Sequence, residues 1–273
     1  VCEACEYVDT FLELNPYISI ITNVDADHLD YFKTLDNIKK SFNKFCHLTT
    51  GMIVYNGDDE NILDVIEDVT IPTLTFGFRK TNDYYAANLR DVKGAYKTFD
   101  LMHKGEKLCE IDLMVPGRHN IYNALAAAAT AHYLGATPEQ IAENLGKFTG
   151  VHRRFEILGS PRGITVADDF AHHPTELTAT LSSAMEMGFR KVWAVFQPHT
   201  FSRTALLLDD FAKALSIPDV AIISEILPVR ETNTYNIYNT DLGAKVEGSV
   251  CIDHFEDITK YIVEHAQEDD LVI

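Results

Sequence analysis

From residue 150 onward the chain alternates short β-branched runs with helix-length segments. Strands are predicted at 164–167, 191–196, 219–223, 249–252 and 270–273, and helices at 174–187, 202–215 and 255–266. Few folds accept that order. Each apolar run needs cover on both faces, and a helix between strands carries the chain back to start the next one in the same direction. The outcome is a parallel sheet with helices on its faces. The first half has the same texture, with strands predicted at 17–23, 51–56 and 73–76 and helices at 35–48 and 62–69. Between residues 77 and 115 alternating segments, 95–101 and 107–115, are separated by Gly94 and Gly105, which predicts a small antiparallel unit of hairpins. An alanine-rich helix follows at 124–134 and stops at Gly135; Thr137-Pro138-Glu139-Gln140 starts another. The pattern resets around Phe148-Thr149-Gly150, so the expected organisation is α/β with two domains, 1–148 and 149–273.

Composition narrows the function classes. A net charge of -18 argues against a nucleic-acid surface, which depends on clustered Lys and Arg. It leaves room for a nucleotide site, which needs only a few local cations and backbone N–H groups. No apolar run reaches the roughly 18 residues of a membrane span, and no signal peptide is visible. Five cysteines at irregular spacing fit a reducing cytoplasm better than a disulfide framework. Cys2 and Cys5 have the C-x-x-C spacing, but a zinc site needs a second ligand pair and none has matching spacing. The chain opens on Val1 directly into a motif-like segment and closes on a core-like strand, so a piece of a longer protein is expected.

There is no G-x-G-x-x-G, no G-x-x-x-x-G-K-[ST] and no G-x-S-x-G. The chemistry-bearing residues instead gather at strand and helix ends, where α/β sheets bind ligands. The densest such stretch is Asp168-Asp169-Phe170-Ala171-His172-His173-Pro174-Thr175-Glu176. It reads either as a capped turn, with Asp169 or Thr175 as N-cap, or as a ligand site. Adjacent histidines have little capping value, which favours the second. After the next strand comes Gln197-Pro198-His199-Thr200-Phe201-Ser202-Arg203. A cation at a helix start is electrostatically disfavoured, so Arg203 there points to a bound anion or to an ion pair with Asp209 or Asp210. Arg153 and Arg154 at the boundary suit a phosphate or carboxylate, or else pair with Glu156. His119 and Asn123 share a helical face, with Asn120 as an alternative N-cap. Glu3 and His28 are usable magnesium ligands, or a surface acid and a capping histidine. Asn23 ends the first strand beside Asp25, Asp27, His28 and Asp30.

Taken together, the segments E-A-C-E-Y, I-T-N-V-D-A-D-H-L-D-Y, P-G-R-H-N-I-Y-N-A, G-V-H-R-R-F-E, D-D-F-A-H-H-P-T-E and F-Q-P-H-T-F-S-R-T resemble the Mur ligases. Within that family the last two motifs resemble the branch that adds L-alanine to UDP-N-acetylmuramate. The resemblance implies the second half of a P-loop-type central ATPase domain, without its P-loop, followed by a Rossmann-like C-terminal domain incomplete at its end. It also implies ATP and Mg²⁺ as cofactors, a bacterial cytoplasmic setting and a place in peptidoglycan precursor synthesis.

Residue roles follow from the same resemblance. Glu3 and His28 match magnesium-binding positions. His119, Asn120 and Asn123 match the adenine pocket, and Arg153 or Arg154 a nucleotide-phosphate contact. Asp168 or Asp169 matches a ribose contact. His172, His173, His199 and Arg203 match positions that hold the incoming amino acid, with Asn23 on the substrate side. Thr200 stands where some members carry Arg, leaving more of the carboxylate contact to Arg203. Phe42 stands where other branches carry a carbamylated lysine, which favours the alanine-adding branch. Two alternatives remain: a recycling ligase that joins a tripeptide to the same nucleotide sugar, and a nucleotide-binding piece without ligase chemistry.

Overall fold

The computed structural model describes residues 1–91 and 97–273. Gly94 and the first two residues of the segment expected at 95–101 lie outside the described residues. The chain forms two compact units.

The first unit holds β1 (Ile18–Ile21), α1 (Leu29–Phe32), α2 (Leu35–Leu48), β2 (Met52–Asn56), α3 (Glu60–Ile66), β3 (Thr73–Gly77), β4 (Tyr84–Asp91), β5 (Lys97–His103), β6 (Glu106–Asp112), α4 (Arg118–Tyr133) and α5 (Pro138–Gly146). Its six strands form one sheet in the order β1-β2-β3-β4-β5-β6. β1 to β4 pair in parallel, and β5 and β6 form an antiparallel hairpin. The hairpin therefore continues the parallel sheet and is not a sheet of its own. β2 is buried at every position because both sheet faces are covered there. Ile38, Cys46, Ile53, Ile62 and Val65 pack one core, with α2 and α3 supplying helical stripes at three- to four-residue spacing. Local chemistry sets the helix ends. The Thr34 side chain accepts the Asn37 N–H at 3.3 Å, and Thr137 and Gln140 form a capping box ahead of Pro138. Helix α4 starts six residues earlier than the alanine run predicts, at Arg118, so Asn120 lies inside the helix and is not its N-cap.

The second unit contains β7 (Glu156–Gly159), β8 (Thr165–Asp168), α6 (Pro174–Met185), β9 (Lys191–Phe196), α7 (Phe201–Leu206), α8 (Leu208–Leu215), β10 (Val220–Ile223), α9 (Asn239–Gly243), β11 (Val250–Cys251), α10 (Phe255–His265) and β12 (Asp270–Val272). Its sheet has the order β11-β10-β9-β12-β8-β7. All pairs are parallel except β7 with β8. Leu177, Leu181, Phe211, Leu215 and Leu242 cover one side of the sheet, and Ile258 with Trp193, Ile222 and Val272 forms a core on the other. The unit is a doubly wound sheet. β12 is last in sequence but lies between β8 and β9, so the carboxyl ends of three strands converge where the winding reverses.

Two expectations differ here. The helix expected at 202–215 is two helices, broken at Leu207 with φ -112° and ψ 23°. The apolar run Leu206-Leu207-Leu208 hides that break from a periodicity argument. β7 went unread because its Ile157 and Leu158 are exposed and give a short edge strand no alternating signal.

Candidate functional site

A cleft opens at the carboxyl ends of β8, β9 and β12. Its walls include Arg153, Asp168, Asp169, Phe170, His172 and His199. Five of the residues expected to bind ligand thus converge from three chain segments.

Several polar groups in the cleft have defined partners. The Arg153 guanidinium donates from Nε to Asp168 Oδ2 at 3.1 Å and lies 4.6 Å above the Phe170 ring. Asp169 accepts the N–H groups of Phe155 and Ala171, both at 2.8 Å, and so ties β7 to the turn after β8. The two aspartates differ accordingly. Asp168 pairs with a cation at the cleft, and Asp169 holds backbone. Glu156, expected as an arginine partner, instead contacts His152 at 2.6 Å and accepts the Arg153 backbone N–H at 2.9 Å.

The adjacent histidines also separate. His173 caps α6: its Nδ1 accepts the Thr175 N–H at 3.3 Å, and Glu176 completes a capping box. An accepting Nδ1 places the proton of the neutral ring on Nε2, which is buried and without a protein partner. The expectation that Asp169 or Thr175 caps this helix is therefore replaced by His173. His172 has the opposite tautomer. Its Nδ1 lies 2.9 Å from the Phe170 carbonyl, which only accepts, so Nδ1 carries a hydrogen, and in the neutral form the lone pair lies on Nε2. Its ring lies 6.2 Å from that of His199. Glu176 serves both: Oε2 accepts the backbone N–H groups of His172 and His173 at 3.0 and 3.2 Å, and Oε1 meets Arg154 at 3.5 Å. Glu176 was not among the expected site residues, although a glutamate three residues after a cap is a readable signal.

His199 enters from the turn after β9. Burial first, and then the neighbouring His172, Arg203 and Arg153, hold its imidazole below the ordinary histidine value. The ring is a neutral hydrogen-bonding group at pH 7, and the arginines carry the fixed charge. Asp209 and Asp210 pair with Lys245 and Lys213, both at 2.8 Å. Glu231, 29 residues beyond Ser202, accepts the Ser202 N–H at 2.8 Å and its hydroxyl at 2.5 Å. Sequence inspection gave Glu231 no role.

In the first unit the acid beside His28 is Glu6, not Glu3. His28 Nε2 lies 3.4 Å from Glu6 and 3.8 Å from Asp27, and one ligand atom from each of the three falls within 4.8 Å of the others. Among the described residues this is the group with metal-holding geometry. Glu3 is exposed in the irregular segment ahead of the 3-10 helix Tyr7–Glu13, whereas Glu6 sits at that helix's N-cap. The hydrogen bond from His28 holds the Glu6 carboxyl below its ordinary value. Asn23 is exposed, and its amide donates to the neighbouring Thr22 hydroxyl at 3.3 Å.

On α4, Asn123 donates to Asn120 Oδ1 at 3.2 Å. Between them Tyr122 donates to Asp58 at 3.1 Å and packs edge-on against Phe78, 4.8 Å between centroids. Asp58 also accepts the Phe78 N–H and an Asn82 amide hydrogen at 2.6 and 2.9 Å. A Cβ at Gly77 would stand 2.6 Å from Asp58, so this junction of β2, β3 and α4 needs glycine there. Burial alone would raise the Asp58 carboxyl, but these donors outweigh it and hold it below the ordinary value.

All five thiols are free, and no helix among the described residues is long and apolar enough to cross a membrane.

Comparison with known proteins agrees with this layout. Residues 1–131 match the Mur ligase middle domain, and residues 153–273 the Mur ligase glutamate ligase domain. Over its full length the chain is 44% identical to the UDP-N-acetylmuramate–L-alanine ligase of Caldicellulosiruptor saccharolyticus and 40% identical to that of Acetivibrio thermocellus. It spans 61% and 60% of those two proteins. A solved UDP-N-acetylmuramate-alanine ligase from Thermotoga maritima matches 97% of the chain at a TM-score of 0.75 and 29% identity, and the chain covers 57% of it. With both of its units matched in order and a doubly wound second sheet carrying the expected motifs at its strand ends, the chain belongs to the Mur ligase family.

Proposed function

We propose that this chain is the catalytic middle and C-terminal portion of a ligase that joins L-alanine to UDP-N-acetylmuramate with hydrolysis of ATP. The observation that carries the reading is full-length identity of 40% or more to ligases named for that reaction, with the D-D-F-A-H-H-P-T-E and Q-P-H-T-F-S-R-T motifs on one cleft. Residues 1–148 contribute the second half of the ATP-binding domain, and residues 149–273 the Rossmann-like domain.

In this reaction the muramyl carboxylate attacks the γ-phosphorus, an acyl phosphate forms and ADP leaves. The amine of L-alanine then adds to the acyl carbon, and phosphate departs. The protein's part is positioning and charge neutralisation. Arg203 and the neutral His199 hold the amino-acid carboxylate. His172, its Nδ1 turned to the Phe170 carbonyl, presents its Nε2 edge to the amine side of the same ligand. Arg153, tethered by Asp168, faces phosphate or ribose, and Arg154 acts beside it. His119, Asn120 and Asn123 offer amide and imidazole edges for adenine, with Tyr122 pinned by Asp58.

Two carboxylates and an imidazole fit a hard divalent cation, so Glu6, Asp27 and His28 would hold Mg²⁺. The ion would neutralise phosphate charge. This replaces Glu3 with Glu6 in the magnesium site.

The test is to assay the complete protein with L-alanine and with L-Ala-γ-D-Glu-diaminopimelate. Turnover with L-alanine is expected, and turnover with the tripeptide alone would overturn the reading in favour of a recycling ligase. The 273-residue chain alone is expected to form no amide, because it has no glycine-rich loop to cradle the β- and γ-phosphates.

A further inference from the structure

The turn that brings His199 to the cleft and leads into the helix carrying Arg203 is short and has little of its own to hold it. Thr200 occupies the N-cap position of α7 but makes no side-chain capping bond. Its hydroxyl lies 3.2 Å from the Ser202 hydroxyl. The bonds that fix the turn come from the segment after β10. Ser224 donates its N–H to Phe196 O at 3.0 Å, and Leu227 donates to Pro198 O at 2.9 Å. Leu227 also forms a parallel bridge with His199. Glu231 closes the arrangement. Its two oxygens take the Ser202 N–H and the Ser202 hydroxyl, and it also receives hydrogen bonds from the Thr200 side chain and the Phe201 backbone. Burial alone would raise its carboxyl, yet these donors keep it ionised below the ordinary glutamate value.

We propose that Glu231 is a positioning residue for the amino-acid end of the cleft, a protein carboxylate that clamps residues 200–202 and thereby sets the direction of His199 and Arg203 on either side. The anion anticipated at this helix start belongs in part to the protein itself. A substrate carboxylate is then left to Arg203 and His199, and the backbone N–H of Ser202 is already engaged. Thr200, whose hydroxyl meets that of Ser202, belongs to the clamp and not to the ligand. The inference rests on the ligase reading above for the identity of the ligand.

The test compares E231A, E231Q and H199A in the complete protein. E231A is expected to raise KM for L-alanine about 10-fold or more while KM for ATP stays within about twofold, since one charge-assisted network is lost on one side of the site. E231Q is expected to recover much of the loss, because its amide oxygen still accepts the Ser202 N–H. An unchanged KM for L-alanine in E231A, or equal rises in both KM values, would overturn the clamp. H199A separates the two levels. If H199A raises KM for L-alanine and E231A does not, the clamp fails alone; if H199A also leaves it unchanged, the placement of the amino acid fails. Should E231A not fold, histidine NMR of E231D in the 273-residue chain decides the matter, since a carboxylate withdrawn by one methylene leaves the Ser202 donors while keeping its charge. Displaced His199 signals with native dispersion elsewhere support the clamp, and unmoved His199 signals refute it.

Discussion

Two strand-to-helix turns build the cleft, and they are held in opposite ways. The turn before α6 is secured from within. His173 caps the helix, and Glu176, three residues on, accepts the N–H groups of His172 and His173. The turn before α7 is secured from outside by Glu231, 29 residues away. A local capping box forms as soon as the helix does. A remote clamp forms only when β9 and β10 have paired and the segment after β10 runs beside the turn. Damage to the first should therefore appear mainly as lost stability, and damage to the second mainly as lost ligand positioning.

The largest expected effect tests whether the two turns share one ligand. In the complete protein, R203A and H172A should each raise KM for L-alanine about 100-fold with little change in KM for ATP, the scale of a lost charged or paired contact. Steady-state kinetics with each substrate varied checks this, and equal changes in both KM values would mean the cleft does not divide its labour between amino acid and nucleotide.

Next in size is E176A, which removes the partner of two backbone N–H groups and of Arg154. It should cost about 1–2 kcal/mol of stability in urea unfolding. E231A should cost less stability than E176A while costing more amino-acid affinity. The reverse order would erase the distinction between a local and a remote lock.

A smaller effect separates the histidine pair. H173A should lose about 1 kcal/mol through the cap, and H173N should restore most of it because asparagine is a strong N-cap. Neither should approach H172A in its effect on KM for L-alanine. If H173N is as unstable as H173A, the capping assignment is wrong.

The smallest effect is a pH dependence. His199 and His103 are both held below 6.5, by burial first and then by neighbouring positive charge. The fold therefore favours their neutral forms, and the unfolded chain takes up protons first as pH falls. Their contribution to stability is intact above about 6.5 and is lost as pH falls through the lower folded-state values. Urea midpoints at pH 8 and pH 5.5 should show the loss, and H199Q should flatten part of the slope. An unchanged slope would place the His199 ring in solvent and not in the cleft.

Much of this was legible beforehand because it depends on local periodicity. The β-branched runs became β8, β9 and β10, and the cluster from Asp168 to Glu176 lies at a strand end beside the cluster from Gln197 to Arg203. Other features were not legible for identifiable reasons. His173 is the cap because its Nδ1 can accept, a capacity that depends on tautomer and not on residue frequency. Glu6 and Glu3 differ only in where the chain turns into a 3-10 helix, and no periodicity distinguishes them. Tyr122 meets Asp58 because Gly77 leaves space, a contact between residues 64 apart.

The sequence by itself determined the class of fold, the position of the polar clusters at strand ends and the family. Side-chain period and helix-start chemistry are properties of a few neighbouring residues, and they survive without knowledge of the rest. Tertiary structure alone decided which acid faces His28, which histidine caps α6 and which lines the cleft, and that Glu231 bonds Ser202 in the turn after β9. Each of these depends on the distance between groups far apart in the chain, and that distance is fixed only when the sheet has assembled and its faces are packed.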